Sequence, residues 1–278
     1  MKTIITAEST IDLPEKMLEK YGIRTIPFGI TFDDKLQQDR FGISSEIFEF
    51  VEKTKTLPKT CAISPAEYKD FFESVKKDCD AIIHISLSSL LSSSYSNAVT
   101  ASKEMENVYV VDSRNLSTGI ALLAMVASNL AKKDKDPKDI YNAVIEKVTK
   151  VQSSFIIDKL NFLHKGGRCS ALSLLGANIL KIKPKIVVDN GKMIVGKKYM
   201  GSLKGTCEKY CDELLKEHPN ADMENVFITH SSEMSEIEDI LTSKLSMHGF
   251  KHIHNTLAGG TVSSHCGPNT IGILFLEK

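Results

Sequence analysis

The sequence lacks an excess of either charge and lacks the common nucleotide-binding motifs. Its 278 residues include 35 Lys or Arg and 35 Asp or Glu, so the formal net charge is zero. This balance predicts no electrostatic surface for nucleic acid or anionic membrane. Neither G-x-x-x-x-G-K-[ST] nor G-x-G-x-x-G occurs, which excludes the two common phosphate cradles. The G-x-S-x-G nucleophile elbow is also missing, which argues against a typical α/β-hydrolase.

Long hydrophobic runs are missing as well. The longest apolar run, Ile120 to Ala127, is far too short to span a bilayer. The first residues carry no apolar stretch and no cleavage-site pattern, so we expect no secretory signal and no stable membrane insertion. We therefore expect a cytoplasmic protein. The composition, 42% hydrophobic and 25% charged, predicts a packed globular core.

The first half of the chain alternates strand-like and helix-like segments. Lys2 to Thr6, Arg24 to Thr31, Ala81 to Ser86 and Val108 to Asp112 are predicted strands, and Ser64-Pro65 predicts the start of a helix. This alternation is typical of βαβ units in a parallel sheet. We therefore predict an N-terminal α/β domain over residues 1–150, with ligands bound where its strands end.

After the polar segment Lys132 to Pro137 and one more helix, the pattern changes. Asn190-Gly191 between two strand-like segments, Lys183 to Asp189 and Lys192 to Met200, predicts a β-hairpin. Two further helices and three strands follow, so the second half is predicted to be an α+β domain over residues 151–278. The whole chain is therefore assigned to the α/β class.

Two hydroxyl-bearing segments and one histidine are the candidate anion-binding groups. Ser92 and Ser93 stand at a predicted helix start, where they either cap free N–H groups or help that end bind an anion. Thr60 lies just before a helix, and alone it is an ordinary loop threonine. His265 lies among glycines and a proline, which predicts a loop that approaches a ligand closely.

Arg168 and the paired histidines leave alternatives open. The Gly166-Gly167-Arg168 segment is either a helix C-cap with an exposed arginine or a turn that presents a guanidinium to an anion. His252 and His254 share one face of a predicted strand, but a metal site there needs more ligands. We therefore predict no metal and no cofactor.

Taken together, these segments resemble the DegV family of bacterial fatty-acid-binding proteins along essentially the whole chain. The resemblance rests on a set of short motifs in a fixed order: Thr60 to Ser64, Leu91 to Tyr95, Val111 to Ser113, Leu163 to Ser170, Ile182 to Pro184 and Ser264 to Pro268.

The resemblance implies two α/β-type domains with an acyl chain buried between them. It implies that Thr60, Ser92 and His265 hold the carboxylate of a long-chain fatty acid, with Ser93 and Arg168 beside it. It also implies that the protein is not itself an enzyme, and that it presents the fatty acid to a separate, ATP-dependent fatty acid kinase. The missing nucleotide cradle agrees with this division of labour.

The sequence departs from the family pattern at several of these positions. Ser93 and Asn269 replace glycines, and Ala62-Ile63 replaces Gln-Pro. Two rival hypotheses remain: an acyl ester hydrolase with Ser92 as nucleophile, His265 as base and Asp112 as orienter, and a partner-binding protein with no ligand.

Overall fold

The computed structural model describes residues 1–169 and 182–278, and it confirms the predicted mixed α/β fold. Within these residues, thirteen strands form three sheets, and ten α-helices pack around them. The strands are β1 (Thr3–Glu8), β2 (Ile23–Ile26), β3 (Gly29–Phe32), β4 (Lys35–Gln38), β5 (Lys59–Cys61), β6 (Ala81–Ser86), β7 (Val108–Asp112), β8 (Val151–Ile156), β9 (Lys183–Asp189), β10 (Lys192–Tyr199), β11 (Ala221–His230), β12 (His252–Leu257) and β13 (Ile271–Glu277). The helices are α1 (Glu15–Tyr21), α2 (Ser44–Thr54), α3 (Pro65–Lys76), α4 (Ser94–Ser102), α5 (Thr118–Ala131), α6 (Pro137–Val148), α7 (Leu160–Gly166), α8 (Leu203–Glu217), α9 (Ser235–His248) and α10 (Gly260–Cys266).

The first sheet is parallel throughout, in the order β2-β1-β6-β7. Every residue of β6 is buried, as expected for a central strand that is covered on both faces. The adjacent helix α3 begins as predicted, because Ser64 and Glu67 form a capping box and Pro65 occupies the first helical position. The predicted N-terminal parallel sheet is therefore confirmed.

The prediction of one strand from Arg24 to Thr31 is wrong. Those residues contribute to two sheets, because β2 lies at the edge of the parallel sheet and β3 is the centre of an antiparallel sheet in the order β4-β3-β5. Pro27 stands between the two strands and has no backbone N–H for a strand ladder. The chain changes sheet at this point, and β5 then brings Thr60 next to β3.

The third sheet is mixed, in the order β10-β9-β8-β13-β11-β12, and only β11 and β12 pair in parallel. The predicted hairpin is present between β9 and β10, and both turn residues have positive φ, 46° at Asn190 and 86° at Gly191. The α+β character of the second half is thus confirmed, whereas the division into two domains at residue 150 stays a prediction.

Helix α5 packs against both of the large sheets. Ten of its fourteen residues are buried, and its side chains share one apolar core with residues of β1, β6, β8 and β13. A helix that is apolar on nearly all sides needs cover on nearly all sides, and the two sheets supply it. Among the residues that the structure describes, no helix is both long and apolar enough to cross a bilayer.

Candidate functional site

A hydrogen bond between residues 205 positions apart marks the candidate site. The Oγ1 atom of Thr60 on β5 lies 2.9 Å from Nε2 of His265 on α10. Thr60 is part-buried in the middle of its strand, opposite Ile30 of β3. The structure therefore brings together two of the predicted site residues, and it places Thr60 on a strand rather than in the predicted loop.

Two buried aspartate side chains hold the helix that carries His265. The Oδ1 atom of Asp12 accepts a hydrogen bond from Gly259 N at 2.8 Å. The carboxylate of Asp39 accepts from Gly260 N at 2.7 Å and from Thr261 N at 3.1 Å. These bonds occupy three of the free N–H groups at the start of α10. The helix is therefore fixed by residues that lie more than 200 positions upstream.

The predicted loop around His265 is wrong, because residues 260–266 form a short helix. The glycines nevertheless permit a close approach, but the atoms that approach them belong to other parts of the protein and not to a ligand. A Cβ atom on Gly260 would lie 2.4 Å from Ile43 Cγ2, and one on Gly166 would lie 2.5 Å from His265 Nδ1. Gly166 thus leaves room for the imidazole ring at its position beside Thr60.

The two serines before α4 line the site, and one of them, Ser92, also satisfies a free N–H group at the start of the helix. Ser92 Oγ accepts a hydrogen bond from Ser94 N at 3.2 Å, so the capping interpretation is correct for this residue. Ser92 and Ser93 also line the cavity that contains Thr60 and His265. Ser93 has a φ of −77°, so its backbone conformation does not need the glycine that the family pattern has there.

Arg168 follows the end of α7. Gly167 has a φ of 71° and forms the left-handed C-cap of that helix, as one of the two interpretations predicted. Arg168 is exposed, its Nη1 donates to Gly166 O at 2.8 Å, and it lines the same cavity as His265. The capping interpretation is therefore confirmed, whereas the presentation of the guanidinium to an anion stays a prediction. Ser170 of the same motif lies outside the described residues.

The cavity has a volume of about 120 Å³ and joins polar groups to an apolar wall. Within residues 1–169 and 182–278, no acidic residue lines it. The polar or charged lining residues are Thr10, Thr60, Ser92, Ser93, Arg168, Thr261 and His265, and the apolar ones are Phe28, Ala62, Leu87, Leu91, Leu116, Met193, Val262 and Cys266. A second, almost wholly apolar cavity of about 30 Å³ shares Leu116, Val262 and Cys266 with the first.

Thr10 and Thr261 were missed by the sequence-based prediction. Both are buried and line the cavity, and neither hydroxyl has a hydrogen-bond partner in the described part of the chain. Thr10 lies on a short 3₁₀ turn after β1, and Thr261 lies one helical turn before His265. Thr261 and His265 are four residues apart, a spacing that places two side chains on one face of a helix. This signal could have been used only if α10 had been predicted.

The site favours a neutral histidine in the ligand-free protein. Burial, with the Arg168 guanidinium nearby, lowers the pKa of His265 to about 4. At neutral pH the ring therefore carries one N–H. Its Nδ1 atom, next to Gly166, has no hydrogen-bond partner among the described residues.

Glu8 is a buried acid that fixes part of the cavity wall through hydrogen bonds. The carboxylate of Glu8 accepts from Leu87 N at 2.9 Å, from Ser86 Oγ at 2.6 Å and from Tyr68 Oη at 2.7 Å. Burial alone would raise the pKa of Glu8, but neighbouring His84 and these hydrogen bonds lower it below its usual value. Leu87, which lines the cavity, is thus fixed through its backbone.

The residues of the proposed hydrolase do not form a catalytic triad. Asp112 accepts hydrogen bonds from Ser89 N and Ser89 Oγ, and it pairs with Arg114 at 3.2 Å. His265 makes its side-chain hydrogen bond with Thr60, and it forms none with a carboxylate in residues 1–169 and 182–278. Ser92 Oγ donates to Ser94 Oγ, at 3.2 Å. His265, the base of that hypothesis, is therefore hydrogen-bonded neither to its nucleophile Ser92 nor to its orienter Asp112.

The two histidines on β12 stack with their ring centroids 6.4 Å apart. Nε2 of His254 bonds to Oδ1 of Asn225 at 2.9 Å. In the described ranges, no group of three or more His, Cys, Asp or Glu side chains is arranged to hold a metal ion.

Comparison with known proteins shows the family of this chain. A family model described as "Uncharacterised protein, DegV family" matches residues 2–278. The chain belongs to the DegV family. It is 29% identical over 288 residues to the fatty acid-binding protein of Thermotoga maritima, and the match covers 100% of this chain and 99% of that protein.

Two solved DegV structures share the fold. The crystal structure of DegV from Bacillus subtilis, described as a fatty acid binding protein, matches with a TM-score of 0.86 and 26% identity over 100% of both chains. The Thermus thermophilus DegV family protein, solved for its fatty acid binding, matches with a TM-score of 0.91 over 100% of both chains. Its sequence identity of 21% supports the fold alone.

Proposed function

We propose that this DegV protein binds a long-chain fatty acid, with the carboxylate at Thr60, Ser92 and His265, and presents it to a separate fatty acid kinase. The observation that carries the proposal is the cavity, in which the Thr60–His265 pair meets an apolar wall and none of the described lining residues is acidic. An amphipathic anion is the ligand that this combination suits. The DegV relatives described as fatty-acid-binding proteins support the same class.

The hydrogen bond between Thr60 and His265 suits an anion if the imidazole is the donor. When Nε2–H donates to Thr60 Oγ1, the hydroxyl proton of Thr60 is free to donate to a carboxylate oxygen. Ser92 supplies a second hydroxyl, and Arg168 supplies a positive charge at the mouth. The carboxylate would thus be satisfied inside the protein, as a buried charged group requires.

The acyl tail would leave the head along the apolar wall. The first cavity, about 120 Å³, is smaller than usual ligand pockets of roughly 300 Å³ or more. A long tail would therefore have to pass Leu116, Val262 and Cys266 into the second cavity, which requires these side chains to move. Burial of each methylene is worth about 0.8 kcal/mol, or on the order of 10 kcal/mol gross for a common fatty acid. Part of this is lost to ordering the chain and desolvating the head.

Presentation to a kinase requires that the head be reached from solvent. A groove of about 560 Å³ shares Thr60, Arg168 and His265 with the cavity and opens beside them. The charged residues that line it in the described part of the chain are all basic: Lys55, Lys59, Lys165 and Arg168. Such a groove would attract phosphate groups and an acidic partner surface.

Displacement of a fluorescent fatty acid tests the binding site. We expect Thr60→Val and Ser92→Ala each to weaken hexadecanoic acid binding by about 10-fold or more, because each removes a hydrogen bond to a charged head worth about 1.5–3 kcal/mol. Thr100→Val is the control, since Thr100 is exposed on α4 and bonds only to Ser96 O. Wild-type affinity in both site variants would refute the assignment of these residues.

The role of Arg168 needs a second assay. Arg168→Ala should retain the fatty acid but slow the formation of acyl phosphate by the host's fatty acid kinase. Arg24→Ala is the matched control, because Arg24 is also exposed but pairs with Asp78 on the parallel-sheet side. An unchanged phosphorylation rate in Arg168→Ala would show that the arginine only caps α7.

A further inference from the structure

Two residues that line the cavity have buried hydroxyl groups without a hydrogen-bond partner among the described residues. In residues 1–169 and 182–278, seven buried side-chain polar atoms lack a hydrogen bond, and three of them belong to residues that line this cavity: Thr10, Thr261 and His265. The side chains of Thr10 and Thr261 are 0% and 5% exposed. An unpaired buried hydroxyl is costly, so the two in this cavity need an explanation.

Neither hydroxyl is needed to hold its own backbone. The turn that carries Thr10 is fixed by its neighbours, since Ser9 Oγ donates to Asp39 and Asp12 accepts from Gly259 N. Thr261 is fixed through its N–H, which donates to Asp39 Oδ2 at 3.1 Å. Both residues therefore line the cavity, and their hydroxyls make no capping hydrogen bond in the described part of the chain.

Plain methylene groups against these hydroxyls would leave both unpaired. A hydroxyl on the ligand can donate to one threonine and accept from the other, so it would satisfy both at once. Thr261 precedes His265 by one helical turn, which corresponds to about 6 Å along the helix axis. The partner group would thus lie a few carbon–carbon bonds from the carboxylate.

We infer that Thr10 and Thr261 form a second polar subsite that selects acyl chains with a hydroxyl group near the carboxyl end. The inference rests on the proposed function, and it narrows the substrate class from fatty acids to hydroxylated fatty acids. A site that hydrogen-bonds a ligand hydroxyl discriminates strongly against the analogue without it, because the protein groups are then left unpaired.

The test compares hexadecanoic acid with 3-hydroxy- and 5-hydroxyhexadecanoic acids by displacement of a fluorescent fatty acid. Wild-type protein should bind at least one hydroxy acid about 10-fold or more tightly than hexadecanoic acid. Thr10→Val and Thr261→Val preserve side-chain shape and should reduce that ratio to near one. Thr10→Ser and Thr261→Ser keep the hydroxyl and should restore most of the preference.

Thr206→Val is the matched control, because Thr206 on α8 also has a buried hydroxyl without a partner but does not line the cavity. Equal affinities of wild-type protein for the three acids, or a ratio unchanged in the valine variants, would overturn the inference while fatty-acid binding stands. Failure of wild-type protein to bind any of the three acids would overturn the proposed function as well.

Discussion

At the scale of single residues, the site depends on how the charge of His265 is controlled. The ligand-free protein buries the ring beside the Arg168 guanidinium, and both effects oppose protonation. A bound carboxylate would raise the pKa of His265 again, since it places a negative charge next to the ring. The protonation state of His265 should therefore report whether the carboxylate is bound there.

We expect the pKa of His265 to be near 4 without ligand and to rise when a fatty acid binds. NMR titration of the ring, assigned with His265→Gln, measures both values. The unfolded chain titrates near the ordinary histidine pKa of about 6.5, so the contribution of His265 to the stability of the ligand-free protein should fall as the pH falls from about 6.5 to 4. The same pKa with and without ligand would contradict placement of the carboxylate beside this ring.

Part of this site could be predicted from residue patterns. Thr60, Ser92, Ser93, His265 and Arg168 all line one cavity, although they were drawn from separate motifs. Thr10 could not be found in this way, because nothing local distinguishes a threonine with an unpaired buried hydroxyl from any other threonine. Its burial and its lack of a partner depend on contacts with distant parts of the chain.

At the scale of elements, local signals predicted some structures and missed others. The capping box at Ser64 and the Asn190-Gly191 turn were predicted correctly, because a few adjacent residues determine each. Helix α10 was missed, because its short Gly260–Cys266 sequence has little helix propensity. Its start is stabilised by Asp12 and Asp39, which no local window includes.

Contact between α7 and α10 sets the position of the imidazole. Gly166→Ala should displace the His265 ring, weaken its bond to Thr60 and reduce fatty-acid affinity by about 10-fold, the loss expected for one such hydrogen bond. Displacement titration measures the loss. Gly205→Ala on α8 is the control, since its new Cβ would meet only Ser202 Oγ, at 3.3 Å. Equal losses in both variants, or none in either, would contradict this positioning role.

At the scale of the whole molecule, Asp12 connects distant parts of the structure. It accepts hydrogen bonds from Ser117, next to α5, and from Gly259, next to α10. Burial raises the pKa of Asp12 to about 8, with nearby Asp39 adding to the effect. The neutral acid is therefore the favoured form in the folded protein at neutral pH.

This raised pKa predicts a pH-dependent stability. Between about pH 4 and pH 8 the folded protein holds the Asp12 proton and the unfolded chain does not, so the stability due to Asp12 falls as the pH rises. From pH 6.5 to 8, above the range in which His265 contributes, wild-type protein should lose up to about 1.4 kcal/mol per pH unit relative to Asp12→Asn. Asn resembles the protonated acid in shape and hydrogen bonding.

Urea unfolding at several pH values measures this difference. An unfolding free energy that differs between the two proteins by the same amount at every pH would contradict a protonated Asp12. Asp139→Asn is a suitable control for the loss of one acidic group, since Asp139 lies in the first turn of α6 and outside this network.

Native mass spectrometry of the purified protein, with analysis of its organic extract, tests the central claim most directly. We expect one long-chain fatty acid for each wild-type chain, and lower occupancy in a Thr60→Val, Ser92→Ala double variant with an unchanged fold. Wild-type protein that carries no fatty acid, and takes up none when hexadecanoic acid is supplied in excess, would contradict the proposed function.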